Sequence, residues 1–389
     1  MRQDRNHIDL LTFLSVLTLM VLSVGVVYSA SSTWAMDRYG ESAKLLGNHA
    51  IKVLLGMAAM FVFMQIDYHK YRKLTKPALV GAISLLIVTL ALGGEKKGAT
   101  RWLALGGLGI QPTELAKYAL IFHLCFLTAE KKDLVKDFMK GFLPMLIWIS
   151  AVAILVLAQP NVSNGAMIFA LGLLILFIGR ARVQHVVLSL GILLPPLLVY
   201  MFSAEYRMRR IMSYLSGGNE EAGHQLRQAI IGLGNGGIFG LGPGGSQQRD
   251  HFLPEAYGDF VFSIVGEEYG LIGTLFFVTL FMLLMLRGMR IARYSRDEAG
   301  RMLAIGITCS ITLYALINAG VTLGILPTTG LPMPFVSYGG TAMIMSCVAV
   351  GVLLNISMQT DLYPRLTGAP EDVRPLEPVR SSVAGRIDD

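Results

Sequence analysis

The sequence predicts an all-α integral membrane protein of about ten transmembrane helices, and three observations carry that expectation. Hydrophobic residues make up 53% of the 389 residues and charged residues only 15%, against about 25% charged in a soluble domain. Mean hydropathy is +0.57. Ten apolar stretches can be placed in order, each close to the ~20 residues a helix needs to cross a bilayer. A soluble enzyme, a disordered chain and a disulfide-rich secreted scaffold fit none of these figures. The formal charge of +7 does not indicate a nucleic-acid binder, because the basic residues lie in short connections between apolar runs.

The expected spans run near 10–30, 48–66, 77–94, 113–129, 142–158, 165–180, 184–202, 259–286, 303–325 and 335–357. Residues 1–9 form a polar cytoplasmic N-terminus, and the run that follows is long enough to span rather than to be cleaved as a signal. Residues 10–357 make one membrane domain, and 358–389, rich in proline and arginine, make a disordered cytoplasmic tail. The second span is interrupted only by Lys52, and the eighth contains Glu267 and Glu268 within an apolar helical pattern. Cys125, Cys309 and Cys347 sit inside apolar runs without ligand spacing and read as packing residues.

Orientation follows from lysine and arginine counts. With the N-terminus inside, 21 of the 33 basic residues fall on the cytoplasmic side. That places both termini inside and turns the one long loop, about 203–258, outward. Loops of that length are usually functional. Arg207, Arg209, Arg210, Arg227 and Arg249 lie in this loop, and Lys96, Lys97 and Arg101 lie between spans three and four. They form either a solvated face touching lipid headgroups or a cationic cradle for a phosphate-bearing ligand.

Four stretches on the outer side carry candidate chemistry. In Gly98-Ala-Thr-Arg101-Trp102 and Gln111-Pro-Thr-Glu114-Leu-Ala-Lys117, Pro112 suits a helix start and Thr113 can cap it. Glu114 and Lys117 lie one turn apart on one face and are expected to pair, since an isolated charge in a span is costly. The run Gly223-His-Gln225-Leu-Arg227-Gln228 leads into the glycine-rich 232–246. Residues 240–245 match G-x-G-x-x-G without the βαβ context that would make it a dinucleotide fingerprint. So much glycine instead permits close backbone approach by a re-entrant or ligand-lining segment.

The third stretch, Phe252-Leu-Pro-Glu255-Ala-Tyr-Gly-Asp259-Phe, runs into Gly266-Glu267-Glu268. Asp259 sits where loop becomes helix and is either a catalytic carboxylate or a helix cap. Eight helical residues would separate it from Glu267 by about 12 Å, too far for the paired carboxylates of glycosidases, so Glu267 reads as a support. The fourth stretch is Gly330-Leu-Pro-Met-Pro-Phe-Val-Ser337-Tyr-Gly-Gly340, where prolines and glycines break a helix at its outer end. No catalytic triad, zinc spacing or haem motif is present.

Together these motifs resemble the SEDS membrane glycosyltransferases of bacteria, the FtsW/RodA-like proteins, over about residues 8–360. The resemblance rests on Tyr28-Ser-Ala-Ser, Arg101-Trp, Gln111-Pro-Thr-Glu with Lys117, Gly234-Asn-Gly-Gly-Ile-Phe-Gly, Leu253-Pro-Glu, Asp259-Phe, Gly266-Glu-Glu and Pro334-Phe-Val-Ser-Tyr-Gly-Gly. The short N-terminus and the Leu253-Pro-Glu-Ala-Tyr context lean toward the division branch, FtsW. Asn161 stands where the family usually has aspartate, and Gly258 where it usually has threonine or serine.

The resemblance implies ten spans in the bacterial cytoplasmic (inner) membrane. It also implies polymerisation of a lipid-linked disaccharide-peptide (lipid II) into glycan strands, during division or elongation, with inversion at the anomeric carbon. A class B penicillin-binding protein, a transpeptidase, is the implied partner, along with other division or elongation membrane proteins and the undecaprenyl-diphosphate-linked substrate. Asp259 is the implied essential residue, as base or as ligand of a divalent cation such as Mg2+ or Mn2+. Arg101, Trp102, Arg210, Gln225, Arg227, Gln228, Arg249 and Ser337 are the candidates for substrate contact, with Glu114, Lys117, Glu255, Glu267 and Glu268 as supports. A lipid flippase and a non-catalytic division scaffold are the competing readings.

Overall fold

A computed structural model describes residues 7–92, 103–105, 108–203, 208, 209, 212, 214, 223–249, 253 and 256–360. The described chain is a bundle of helices: α1 Leu10–Tyr39, α2 Lys44–Gln65, α3 Thr75–Leu92, α4 Pro112–Lys131, α5 Leu143–Ala158 and α6 Val162–Ile178. Then follow α7 Val183–Phe202, the short α8 His224–Gly236, α9 Val261–Arg293, α10 Glu298–Thr322 and α11 Gly340–Ser357. One small antiparallel hairpin, β1 Leu103–Leu105 with β2 Leu108–Ile110, precedes α4, with Leu103 opposite Ile110.

Each expected span appears as a helix. Among the described residues, eight helices are long and apolar enough to cross a membrane. The other two fall short for physical reasons: α4 carries Glu114, Lys117, Glu130 and Lys131, and α6 has 17 residues. The protein is an all-α, multi-pass membrane protein.

The helices are arranged around α10 and α11, whose apolar windows are 72% and 78% buried, whereas that of α7 is 6% buried. Small residues permit the closest approaches. Gly351 of α11 lies against the Met60 carbonyl of α2, and Gly288 of α9 lies against Thr308 of α10. Cys125 and Cys347 are buried, Cys309 is half-buried, and all three are free, in keeping with a packing role.

Several boundaries differ from expectation: α2 starts at Lys44, α9 runs on to Arg293 and α10 starts at Glu298, and four further differences have a visible cause. α1 continues nine residues past position 30 because its serines do not break it; Ser31 Oγ donates to the Val27 carbonyl at 2.7 Å within the helix. Asp9 belongs to the fold rather than to a loose terminus. It caps α1, accepting from Thr12 N at 2.9 Å, and is fully buried. The folded region also extends to Thr360, whose hydroxyl donates to the Ser357 carbonyl at 2.8 Å; the rest of the expected tail lies outside the described residues. The last span starts at Gly340 rather than 335, since the prolines hold 331–339 as a loop.

Candidate active site

Two loops meet at the end of the bundle that carries the long 203–258 connection. One leads into α9 and contains Asp259; the other, 330–339, leads into α11. Ser337 Oγ donates to the Gly258 carbonyl at 2.7 Å and accepts from Met333 N at 2.8 Å. Tyr338 N donates to the Tyr257 carbonyl at 2.9 Å. From α10, buried Asn318 donates through Nδ2 to the carbonyls of both Asp259 and Leu331 at 2.8 Å. One side-chain amide therefore staples both loops.

The half-buried Asp259 carboxylate lies against the Gly330 α-carbon, where a Cβ would come within 3.3 Å of Oδ2. Gly330 has φ +69°, a second reason for glycine at this turn. Asp259 is not the cap of α9. The cap position is Phe260 and makes no side-chain hydrogen bond. Aromatic rings pack on the loop that carries Asp259: Tyr257 contacts Tyr338 edge-on at 5.7 Å and Trp34 at 5.6 Å. Burial, then the nearby Tyr338 phenol, raises the Tyr257 phenol above its usual range, with the Asp259 charge adding a smaller push in the same direction.

The eighth span, expected as one continuous helix, is broken. Gly270 has φ 64° and ψ −161°, a conformation essentially confined to glycine. In an intact helix Leu271 and Ile272 would donate to the carbonyls of Glu267 and Glu268. Here Leu241 N and Gly242 N reach those carbonyls at 2.9 and 3.0 Å. Leu271 N and Ile272 N donate instead to the carbonyls of Gly237 and Ile238, at 2.9 and 3.2 Å. The glycine-rich segment is thus the close-approaching element that its composition predicts. At Gly240, with φ +82°, a Cβ would collide with the Glu268 carbonyl.

The two glutamates fix this segment. Fully buried Glu267 accepts from the Ser246 hydroxyl and from Gln247 N and Gln248 N at 3.2 and 3.3 Å. Buried Glu268 accepts from the Ser29 hydroxyl of α1, and Arg249 Nη1 lies 2.9 Å from the same Ser29 Oγ. Both carboxylates thus tie neighbouring segments to α9. Arg249 is built into this cluster rather than arrayed as a loop cation. Ser337, expected to contact substrate, is buried with its hydroxyl committed to two backbone partners, so it positions the loop beside Asp259.

Gln225 and Gln228 lie half-buried on one face of α8, and Arg227 is exposed. α8 packs on α9, where Ser263 Oγ donates to the Ala229 carbonyl at 3.2 Å. Arg101, Trp102, Arg210 and Glu255 lie outside the described residues.

Glu114 and Lys117 form the expected pair, 2.7 Å apart and 1% and 4% exposed. Lys117 Nζ also sits 4.0 Å from the Tyr314 ring centroid, and the Tyr314 hydroxyl donates to Asn164 Oδ1 at 3.0 Å. Asn164 in turn donates to Asn161 Oδ1 at 3.1 Å. Asn161 therefore ends a buried polar chain that starts at Glu114. Thr113 does not cap α4; the cap position is Gln111, and the Thr113 hydroxyl is buried with no hydrogen-bond partner among the described residues. Sequence reasoning missed Ser29 and Asn318 as site-builders, although a polar residue inside an apolar span was a readable signal.

A sequence model of the FtsW/RodA/SpoVE family, described as "Cell cycle protein", matches residues 9–362. The chain belongs to that family. A probable peptidoglycan glycosyltransferase FtsW of Geobacter metallireducens is 38% identical over 366 residues, covering 93% of this chain and 96% of that protein. Stage V sporulation protein E of Bacillus subtilis is 36% identical, covering 88% and 96%. Among solved structures, the fold matches a chain of a peptidoglycan synthase complex with a TM-score of 0.76 at 24% identity, covering 92% of this chain and 99% of that one. It matches the rod shape determining protein RodA of Thermus thermophilus with a TM-score of 0.64 at 23% identity, covering 90% and 97%. These structural likenesses establish the FtsW/RodA fold, and the motifs described above lie within the matched region.

Proposed function

We propose that this protein is a peptidoglycan glycosyltransferase that polymerises a lipid-linked disaccharide-peptide into glycan strands in the bacterial cytoplasmic membrane. One observation carries the reading: in a chain of this family, the backbone that bears the half-buried carboxylate of Asp259 is pinned between two loops, its carbonyl and those of Gly258 and Leu331 accepting from buried Asn318 and Ser337. Preorganisation of that kind is what a general base requires. Asp259 takes the proton from the acceptor hydroxyl as its oxygen attacks the anomeric carbon. The bond to the lipid diphosphate breaks with inversion, and the diphosphate leaves with the electron pair.

The bound lipid tail lies between helices, which is why the enzyme is built within a bilayer. Among the described residues no three His, Cys, Asp or Glu side chains cluster as a metal cage. A divalent cation here would be held by Asp259, water and the substrate's own diphosphate, the manner in which Mg2+ is commonly bound. Its chemistry would be charge neutralisation at the leaving group. With both termini inside, the site opens on the extracytoplasmic side. There a class B penicillin-binding protein cross-links the nascent strand, and the division role of FtsW is the favoured assignment.

The test is purified protein supplied with lipid-linked disaccharide. Glycan polymer supports the proposal, lipid translocation without polymer makes the protein a flippase, and neither product makes it a scaffold. Orientation is checked separately: a single cysteine near Gly218 should react with an impermeant thiol reagent in spheroplasts, and labelling only after lysis reverses the topology.

A further inference from the structure

The arginines of the long loop were the sequence's candidates for binding phosphate, yet Arg249 is engaged with Ser29 beside Glu268. A different cation stands at the site. Lys52 is half-buried in α2, eight residues from the helix start, about 12 Å along the axis. Its ammonium sits 3.9 Å from the Tyr338 ring centroid and makes no ion pair with any described residue. The stem runs into the bundle rather than along its surface. A Cβ on Gly340, the first residue of α11, would lie 3.1 Å from Lys52 Cε and 3.2 Å from Cδ, so the glycine makes the space the lysine occupies.

The surroundings reinforce the charge. Gln111 N donates to Thr341 Oγ1 at 3.0 Å, joining the start of α4 to that of α11. Tyr338 N donates to the Tyr257 carbonyl, joining the start of α11 to the loop before α9. None of these three helices has a side-chain N-cap; the positive end of α11 lies against the Lys52 stem, while the first turn of α4 carries Glu114. A tyrosine face holds an ammonium by its quadrupole but does not neutralise it. Tyr338 is also tied by its backbone two residues from Asp259, placing cation and carboxylate on one loop pair.

We propose that Lys52 is a substrate-binding residue that, with the first turn of α11, holds the diphosphate of the lipid-linked substrate and stabilises it as it leaves. The assignment rests on the glycosyltransferase reading. In the step, the acceptor oxygen bonds to the anomeric carbon, its proton passes to Asp259, and the carbon–oxygen bond to the diphosphate breaks. The extra negative charge develops on the diphosphate beside the Lys52 ammonium.

The test measures binding of geranylgeranyl diphosphate, geranylgeranyl monophosphate and inorganic pyrophosphate to full-length protein in phosphatidylcholine nanodiscs, with and without phosphatidylglycerol. Lys52→Met should weaken the lipid diphosphate by about tenfold or more, and Lys52→Arg, which keeps the charge, by about threefold or less. Gly340→Ala, which crowds the lysine stem, should fall between them. Unchanged lipid-diphosphate affinity in Lys52→Met overturns the assignment. So does a loss seen only as weaker dependence on phosphatidylglycerol, which would give the lysine to bilayer headgroups, or binding of pyrophosphate alone. Wild-type protein that binds the lipid diphosphate but makes no polymer sinks the polymerase reading and leaves the binding assignment standing. Polymer from wild type with unchanged binding in Lys52→Met sinks the assignment alone.

Discussion

Among the described residues, two buried ion pairs stand at opposite ends of the bundle, and they are completed differently. At the end away from the long loop, Arg287 of α9 grips Asp9 through Nε and Nη2, with Nε 3.1 and 3.0 Å from the two carboxylate oxygens. Asp9 also accepts from Thr12 N, and its own N–H donates to Ser357 Oγ at 3.1 Å. Three helices, α1, α9 and α11, are locked at one point, and the neighbouring Tyr68 and Asn355 add bonds of the same kind. At the other end, Glu114 meets Lys117 through one oxygen, while Oε1 is buried with no hydrogen-bond partner among the described residues and the lysine leans on aromatic faces. A saturated pair fastens helices. An incompletely bonded pair keeps hydrogen-bonding capacity within the bundle.

That contrast is open to test. Arg287→Met strands a buried carboxylate and should destabilise the protein by about 3–5 kcal/mol in detergent unfolding, with activity per folded molecule retained. A stable Arg287→Met protein would remove the distinction between the ends. Asp259→Asn should fold normally and lose at least about a hundredfold of polymer formation, roughly 2.7 kcal/mol of barrier. Near-normal polymer from this variant would remove the carboxylate from the chemistry.

Lys117→Met should lower stability by about 1–3 kcal/mol, less than Arg287→Met because Glu114 is already incompletely bonded. If Lys117→Met is fully stable but inactive, the pair belongs to the catalytic machinery. Acid supplies a further measure. Burial raises the Asp9 carboxyl, but the hydrogen bonds from Arg287 and Thr12 outweigh it and leave the group below its ordinary 3.8. A depressed folded value stabilises the protein above about pH 4 and is lost as pH falls further. The melting temperature should therefore drop below that pH in wild type and change less in Asp9→Asn. Smallest of all, truncation after Thr360 should leave polymer formation within a few-fold, since the remaining composition buries no core.

Periodicity and hydropathy made the helices legible, because each had to supply a long apolar stretch. The Glu114–Lys117 pair was legible for the related reason that opposite charges one turn apart within a span must meet. The break at Gly270 was not, since hydropathy reads through a glycine flanked by apolar residues and cannot see that residues 237–242 replace the missing helical bonds. Nothing in the polar N-terminal stretch marks Asp9 as buried, because its partner lies 278 positions away. The partners of the Ser337 hydroxyl are backbone groups that no sequence pattern displays, and one cation such as Lys52 in an apolar run resembles an interruption.

The docking of 237–242 on the broken helix has a consequence for the order in which the protein is built. Its partners lie within about 36 residues of chain, so this wall of the site can assemble from near-neighbour contacts as soon as α9 enters the bilayer. Asp259 acquires its second loop only when α11, the last helix described, emerges and packs on α2. A nascent chain ending near residue 325 should already protect the glycine-rich segment from protease while its Asp259 loop remains cleavable. Synthesis of the final helix is then the event that turns an inserted bundle into one with a competent site.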